Sequence, residues 1–391
     1  MWRLSAALIL VVTLHLGAQT TVVLPFFNLT GKDSLDWIGE GVAETIRGAA
    51  AEEGVPILDR QSRQEAYRRL SLRPHAVLTR GSMVKVAELL EARKVVFGSF
   101  QIGETTGSGP TIHLTAGVLD LDTLSLVPEE SSTALLEDLA EAQARLAWKV
   151  VRILAPRGGA PAEDEFLRRH GRVRLDALES HIRGLMATSA EQKHRFFTQA
   201  ARLDEKFVQP CFELGKLLLD AKDYKVAAGW FERVPPDSPD FLEAQFYLGL
   251  CRFQLAQYDL AIASFRAVAD SAPVAEVWNN LGAAQSRKGL PEALESFRKA
   301  GESDPQDADY RFNQGYALWK AGEFDPAAEM FRASLNLAPA DSEAILMLGR
   351  CLKRTAVRDT EQRVTGLERI KPSLKEAAYL NLRAARGRRA R

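Results

Sequence analysis

Residues 275–307 read AEVWNNLGAAQSRKGLPEALESFRKAGESDPQD, and the arrangement of small and aromatic residues in this stretch recurs on both sides of it. Its first glycine, Gly282, has counterparts at Gly215, Gly249, Gly315 and Gly349, at successive intervals of 34, 33, 33 and 34 residues. Self-similarity at such a period indicates a stack of similar supersecondary units, none of which can bury its apolar face alone.

Three more positions of the unit keep this register. They are the alanines Ala227, Ala261, Ala293 and Ala327, the phenylalanines Phe231, Phe265, Phe297 and Phe331, and the prolines Pro273, Pro305 and Pro339. The pattern resembles the tetratricopeptide repeat, which implies α-α hairpins stacked into an all-α superhelix. We expect the glycine and the alanine to face each other within one hairpin, and the phenylalanine to fill the space between successive hairpins.

The repeat array is predicted over residues 165–356. It consists of a divergent repeat near 177–207, full repeats at 208–241, 242–274, 275–307 and 308–341, and a partial repeat at 342–356. Residues 357–391 are predicted to form a capping helix and a basic tail. The arginines that crowd the end of this tail fit a solvated cap on the last repeat, and contact with anionic lipid or nucleic acid is the alternative.

The resemblance implies that the first helices of successive hairpins line a concave groove that binds a partner protein. The candidate groove residues are Phe212, Lys216, Phe246, Leu250, Phe253, Asn279, Arg287, Phe312, Tyr316, Trp319, Lys320, Arg350, Lys353 and Arg354. An accessible aromatic floor would bury apolar side chains of the partner, and the basic residues at one end would steer an acidic stretch. For Phe246 and Phe312, a place in the core between repeats is an equal alternative.

Residues 20–154 are predicted to form an α/β domain. Strands are expected at 21–26, 55–58, 95–100 and 124–127, helices from about residue 34 to Gly54 and at 62–70, 82–91 and 135–154, and a hairpin loop at 103–110. Leu24-Pro25-Phe26-Phe27-Asn28, Gly31, Trp37-Ile38 and Val96-Phe97-Gly98-Ser99-Phe100 resemble the amino-terminal domain of TolB and the related FlgO-like and CsgG-like envelope proteins. The resemblance implies a non-catalytic domain that docks into an envelope complex.

The first 18 residues are predicted to be a signal peptide. A short start with Arg3 precedes an apolar run of about 13 residues, too short to span a bilayer, and Gly17-Ala18 offers a cleavage point. The protein is therefore expected to be exported to the periplasm or envelope of a bacterium. Membrane association through an uncleaved signal or the basic tail stays an alternative. Residues 155–164, rich in Gly, Pro and Ala, are predicted to be a linker.

The chain carries 51 basic and 51 acidic residues, so its formal net charge is zero and no nucleic-acid partner is expected. Cys211, Cys251 and Cys351 lie far apart, without a Cys-x-x-Cys pair, which excludes the usual zinc-binding spacing. No pair of histidines has metal-ligand spacing, and no nucleophile motif is present. We expect no enzyme, cofactor or metal. A different function, sensing of a small ligand or glycan by the N-terminal domain, is the alternative to protein binding.

Overall fold

The computed structural model of the protein describes residues 20–106, 109–155, 160–170, 173–356 and 366–375, with residues 378 and 382, and gives no side chains for 104–106. The predicted signal peptide and most of the predicted capping helix lie outside these residues. The chain divides into two compact units. Of the described residues, one unit comprises those within 20–51, 55–136 and 142–167, and the other comprises those within 52–54, 137–141 and from 168 onwards.

The first unit contains a mixed five-stranded sheet in the order β1-β3-β4-β5, with β2 also paired to β3. The strands are β1 (Thr21–Val23), β2 (Phe27–Asn28), β3 (Lys94–Thr106), β4 (Gly109–Asp120) and β5 (Ser125–Leu135). β1 and β2 run parallel to β3, and β3, β4 and β5 form an antiparallel meander. Helices of this part of the chain are α1 (Asp36–Glu52), α2 (Arg60–Arg69), α3 (Arg80–Leu89), α4 (Leu139–Leu154) and α5 (Glu163–His170).

Both faces of the sheet are buried where β3 pairs with β4. Val95 is opposite Leu119 and Val96 is opposite Val118, and all four side chains are buried although neighbours in a strand point to opposite faces. Val95 and Leu119 belong to one hydrophobic cluster with residues of α2 and α3. Helical cover on a sheet of this kind explains its nearly continuous apolar runs.

Three details of the predicted N-terminal elements are wrong. The predicted strand at 55–58 forms only one bridge, between Thr21 and Ile57, because Pro56 has no N–H for a ladder. The predicted hairpin loop at 103–110 is too long, because residues 103–106 and 109–110 belong to β3 and β4, with Thr106 opposite Gly109. Residue 135 ends β5, so the last helix begins only at Leu139, after a 3₁₀ turn. In addition, α5 begins inside the predicted linker.

Among its described residues, the second unit contains five two-helix repeats and one partial repeat in chain order. Their helices are α6 (Leu175–Met186), α7 (Ala190–Leu203), α8 (Gln209–Asp220), α9 (Tyr224–Phe231), α10 (Phe241–Gln254), α11 (Tyr258–Ala269), α12 (Ala275–Arg287), α13 (Glu292–Ser303), α14 (Ala308–Lys320), α15 (Phe324–Leu337) and α16 (Ser342–Leu352). The first pair corresponds to the predicted divergent repeat. Helix α16 is the first helix of the predicted partial repeat.

The repeat glycines pack against the phenylalanine of their own hairpin. A Cβ at Gly249 would lie 2.6 Å from the ring of Phe265, and one at Gly215 would lie 2.5 Å from that of Phe231. The phenylalanine ring thus occupies the space left by the missing glycine side chain of its own hairpin, and Phe265 also shares a hydrophobic cluster with Val277 and Leu281 of the next hairpin. At Gly349 an added Cβ would meet no described atom within 4 Å, as expected for a hairpin that has only its first helix among the described residues.

Candidate functional site

A segment of the chain's own C-terminal part, Gly366–Lys375, crosses the first helices of two neighbouring repeats. Arg287 at the end of α12 donates a hydrogen bond to the carbonyl of Gly366 at 2.6 Å. Near the start of the same helix, Glu276 accepts the N–H of Lys375 at 3.0 Å. The segment, which we call the internal segment (residues 366–375), therefore runs antiparallel to α12. It contains no helix or strand.

Two asparagines clamp alternate residues of the internal segment by their main chain. Asn313 on α14 donates to the carbonyl of Arg369 at 2.7 Å and accepts its N–H at 2.8 Å. Asn280 on α12 makes the same pair of bonds with Lys371, at 2.8 and 2.7 Å. Each side-chain amide thus pairs with one residue as a neighbouring strand would, and residues two apart in an extended chain present the same edge. These hydrogen bonds depend on the main-chain groups of the segment and not on its side chains.

A third amide completes the clamp. Asn279 donates to the carbonyl of Arg369 at 2.7 Å, and its own oxygen accepts a hydrogen bond from Asn313 at 2.7 Å. Asn279, Asn280 and Asn313 are all fully buried. Buried amides are costly unless their hydrogen bonds are made, so the internal segment satisfies a row of polar groups on the groove floor.

One carboxylate of the internal segment enters a basic pocket. The Glu368 side chain is fully buried and accepts a hydrogen bond from the Ser286 hydroxyl at 2.7 Å. The Arg287 Nε lies 2.7 Å from its other oxygen, and the Lys320 Nζ lies 3.4 Å from Oε1. A buried carboxylate needs such neutralising and hydrogen-bonding partners, so this pocket selects an acidic side chain.

The next residue, Arg369, enters an acidic pocket. Its guanidinium lies 3.6 Å from the ring centroid of Phe312 and donates to Asp341 at 2.6 and 2.9 Å. It also donates to Asp309 and Glu343, each at 3.1 Å. Burial alone would lower the pKa of Arg369, but hydrogen bonds to Asp341 and the other carboxylates outweigh it and raise that pKa. The hydrogen bond from Arg369 is also the main cause that lowers the pKa of Asp341.

Two lysines extend this acidic side of the groove. Lys371 lies 2.8 Å from Asp307 and 2.6 Å from Asp309, and Lys375 lies 2.6 Å from Asp304 and 3.1 Å from Asp307. Burial would raise the pKa of Asp307, but the two lysines outweigh it and lower that pKa. The segment thus presents one acidic residue followed by three basic ones, and the groove carries the opposite charge against each.

The apolar groove candidates lie mainly in the hydrophobic core. Phe212, Phe246 and Phe312 each pack against the phenylalanine of their own hairpin, with ring centroids 5.4–6.1 Å apart. Leu250 and Phe253 belong to the buried cluster that also contains Ala378 and Leu382 of the C-terminal part. None of these side chains is accessible in the structure as described: Phe212 and Phe246 fill space within their own repeats, and the ring of Phe312 also lies under Arg369 of the internal segment.

The polar candidates and those on α14 divide into two groups. Asn279, Arg287, Phe312, Tyr316 and Lys320 contact the internal segment, Tyr316 by accepting the N–H of Gly366 at 3.0 Å. The others do not contact it through any described hydrogen bond or ion pair. Trp319 donates to the Thr355 carbonyl at 2.8 Å, Arg354 pairs with Asp325 at 2.8 Å, Lys216 lies over Phe212, Arg350 is half-buried and Lys353 is exposed.

Sequence reasoning missed the residues that clamp the main chain, Asn280 and Asn313, and the acidic pocket. A signal for the clamp is present, because each asparagine stands two residues before its repeat glycine, Gly282 or Gly315. The other repeats carry Ile182, Glu213, Tyr247 and Met347 at the equivalent position. Only the two repeats that hold the internal segment have the amide.

Nothing among the described residues has the arrangement of a metal centre, since no three His, Cys, Asp or Glu side chains there could share an ion. All three cysteines are buried, and burial raises the pKa of Cys251 to about 12 and that of Cys351 to about 11. Such thiols stay protonated at neutral pH and pack as small apolar groups. Within the part of the chain that the structure describes, no helix has both the length and the apolar character to cross a membrane.

The family model of the tetratricopeptide repeat matches residues 212–276, 248–308 and 281–344. No curated protein matches this chain. Among solved structures, the chain is similar to YrrB, described as a TPR protein with an unusual peptide-binding site (22% identity, 44% of this chain and 91% of that one, TM-score 0.40). It is also similar to MamA from Desulfovibrio magneticus RS-1 (26% identity, 41% of this chain and 92% of that one, TM-score 0.38). Residues 212–344 carry tetratricopeptide repeats.

Proposed function

We propose that this protein is a non-enzymatic scaffold whose repeat groove binds an extended segment of a partner protein. The observation that supports this most is the clamp of Asn280 and Asn313 on the main chain of the internal segment. Recognition of paired N–H and C=O groups is the way in which proteins bind extended peptides, with pockets for alternate side chains adding specificity. The pockets that hold Glu368 and Arg369 would supply this side-chain specificity.

The proposal includes a place in the bacterial cell envelope. It is supported by the signal-peptide pattern of residues 1–18 and by the resemblance of residues 20–154 to envelope domains of the TolB type. In this proposal the N-terminal domain docks into an envelope complex while the repeats hold the partner. Cell fractionation of the full chain, compared with a chain that starts at Gln19, tests the location. Equal recovery of both chains in the cytoplasm would contradict export.

Cross-linking from bacterial envelope extract tests groove binding. One bait is the intact chain, and a second carries Arg369→Glu and Lys371→Glu, which place negative charge against Asp309 and Asp341 and so weaken the hold on the internal segment. We expect cross-links from one partner segment that map to α12 and α14. Adding Asn313→Ala to either bait is expected to reduce them, because the clamp loses both bonds to one residue.

A matched control keeps this test specific. Asn336 is an exposed asparagine on α15, and Asn336→Ala is expected to leave the cross-links unchanged. Circular dichroism checks that each variant is folded. Cross-links that map only to residues 20–154, or that survive Asn313→Ala in full, would contradict binding in the groove and would favour the N-terminal domain as the binding site.

A further inference from the structure

The groove floor carries a row of polar groups where the internal segment lies, beside the apolar contacts that Ile370 and Leu374 make with a hydrophobic cluster of the repeats. Asn279, Asn280, Asn313 and Ser286 all face the segment and are nearly or fully buried under it. When the segment leaves, amide and hydroxyl groups of this kind can be hydrated, whereas an apolar floor would stay exposed at a cost. The surface therefore suits exchange between water and a peptide.

Two of the carboxylates that bind the basic residues of the internal segment also cap helices, and the caps do not depend on the segment. Asp341 caps α16 by accepting the N–H groups of Glu343 and Ala344, each at 3.1 Å. Asp307 caps α14 by accepting the N–H of Asp309 at 3.1 Å. Negative charge at a helix N-terminus is favourable by itself. The acidic pocket thus stays formed and hydrated when the arginine and lysines withdraw.

We infer that residues 366–375 are an internal ligand that closes the groove, and that the external partner is an extended protein segment with the same order of charges, an acidic residue followed by basic ones. This inference rests on the proposed function. The partner carries a glutamate, then basic residues one and three positions later with an apolar residue between them, as in Glu368-Arg369-Ile370-Lys371. The glutamate enters the pocket of Ser286 and Lys320, and the first basic residue stacks on Phe312.

The charge pattern of this partner differs from that of the acidic stretch expected from the sequence. A purely acidic stretch would satisfy the Glu368 pocket but would meet Asp304, Asp307, Asp309, Asp341 and Glu343 along the rest of the groove. Like charges at these distances repel and lower affinity. A purely basic stretch would face Arg287 and Lys320. Only a mixed segment in this order complements both pockets.

The internal segment competes from within the same chain. Only residues 357–365 separate it from residue 356, and a short tether gives an effective concentration on the order of millimolar. An external peptide of equal intrinsic affinity therefore binds the intact chain weakly. Loosening the internal segment raises the apparent affinity of the external one without any change in the groove.

Fluorescence anisotropy with a rhodamine-labelled peptide of residues 366–375 tests the inference. The full chain is compared with the release variant, Arg369→Glu with Lys371→Glu, and with a control in which the exposed Lys206→Glu and Lys225→Glu produce the same change of charge. All substitutions avoid Asp307 and Asp341, whose loss would weaken helix caps. We expect the dissociation constant of the peptide to be at least about tenfold lower for the release variant than for the other two proteins.

A second peptide tests the charge order. It carries lysine in place of Glu368 and glutamate in place of Arg369 and Lys371, and we expect it to bind the release variant at least about tenfold more weakly, since it meets like charges in both pockets. Equal binding of the two peptides would overturn the partner chemistry. Equal binding of the first peptide to all three proteins would overturn competition by the internal segment, although groove binding would stand.

Two further outcomes would also overturn the inference. If the first peptide binds none of the proteins, the internal segment is a fixed part of the fold and not a ligand, and the cross-linking test alone then decides the proposed function. If the intact chain forms a concentration-dependent dimer that the release variant does not form, a second copy's segment fills the groove. Size-exclusion chromatography with light scattering measures that dimer.

Discussion

Arg63 in the N-terminal unit and Arg369 in the repeat groove are both surrounded by carboxylates, yet they belong to different kinds of structure. Arg63 is 3% exposed, contacts Glu40 and donates to the main-chain carbonyl of Val23 at 2.9 Å. The side chain of Arg369 is 20% exposed and contacts Asp341, Asp309 and Glu343. One arginine ties a helix to a strand in the core, and the other ties a segment without secondary structure to the surface of two repeats.

The two arginines differ in the environment that their carboxylate partners keep when the ion pair is broken. Glu40 is 4% exposed, and its carboxylate contacts only Arg60 and Arg63 among the ion pairs described. Burial would raise the pKa of Glu40, but the two arginines outweigh it and lower that pKa. Asp341 instead keeps its cap on α16 when Arg369 leaves. Breaking the Glu40–Arg63 pair leaves a buried charge without its close partner. Breaking the Asp341–Arg369 pair exposes both charges to water.

The largest effect is expected from Glu40→Ala. It removes the close carboxylate partner of the buried Arg63 and leaves only Glu44, whose Oε1 lies 3.8 Å away. Loss of one partner of a buried ion pair destabilises a fold by about 3–5 kcal/mol. Hydrogen-exchange mass spectrometry of the full chain is expected to show loss of protection over α1 and α2, with unchanged protection over α10 to α15. Glu88→Ala, at an exposed position of α3, is the control and is expected to change protection by less than about 0.5 kcal/mol. Similar effects of the two substitutions would remove the contrast between the two arginines.

The next effect is expected from Arg369→Ala. The charged hydrogen bonds it removes are worth about 1.5–3 kcal/mol, so the amides of residues 367–371 are expected to lose protection by that amount. Protection in α12, α14 and α16 is expected to stay the same, because the carboxylates keep their caps. Arg332→Ala, at an exposed position of α15, is the control. Loss of protection throughout the repeats would mean that the internal segment holds the array together.

The repeat helices could be predicted from sequence because their pattern is local. Gly282, Ala293 and Phe297 lie within one hairpin, so their spacing reports on contacts that form within some 16 residues. The internal segment could not be predicted in the same way. Its contacts join residues up to about 99 positions apart, as in Glu276 and Lys375, and they use main-chain groups that every residue has.

Parts of the N-terminal unit show the same limit. The helix that contains Trp37, Ile38 and Ile46 follows from their helical spacing, and all three side chains are buried as expected. The length of β3 does not follow from the sequence, because residues beyond Phe100 pair with β4 although Gly103 is typical of a loop. Strand length depends on the partner strand, and a single stretch of sequence does not contain the partner.

A smaller effect is expected within the repeats from Ala261→Leu. Ala261 is fully buried in α11, and three extra carbons there overpack the hairpin by about 1–3 kcal/mol. Urea unfolding followed by circular dichroism is expected to show a lower midpoint. Leu260→Ala is the neighbouring control, since Leu260 is 48% exposed and its truncation costs about 0.5 kcal/mol or less. An unchanged midpoint for Ala261→Leu would contradict the close packing of this repeat.

The smallest effect at neutral pH concerns protonation of the acidic pocket. Because the pKa values of Asp341 and Asp307 are lowered below 3.8 by the internal segment, their contribution is complete above that pH and is lost as the pH falls through the lowered values. The pKa of Lys375 is raised above 10.5, chiefly by its hydrogen bond to Asp304, so its contribution is complete below that pH and is lost as the pH rises further.

We therefore expect attachment of the internal segment to be constant between about pH 5 and pH 10 and to weaken outside this range. Protection factors of residues 367–371, corrected for intrinsic exchange, measure it, and those of α12 and α14 in the same samples show whether the array itself is unfolding. Weakening already between pH 6 and 7 would contradict carboxylates as the holding groups. Retention of the segment at pH 3 by a folded array would instead assign its attachment to the neutral asparagine clamp, whose bonds do not titrate.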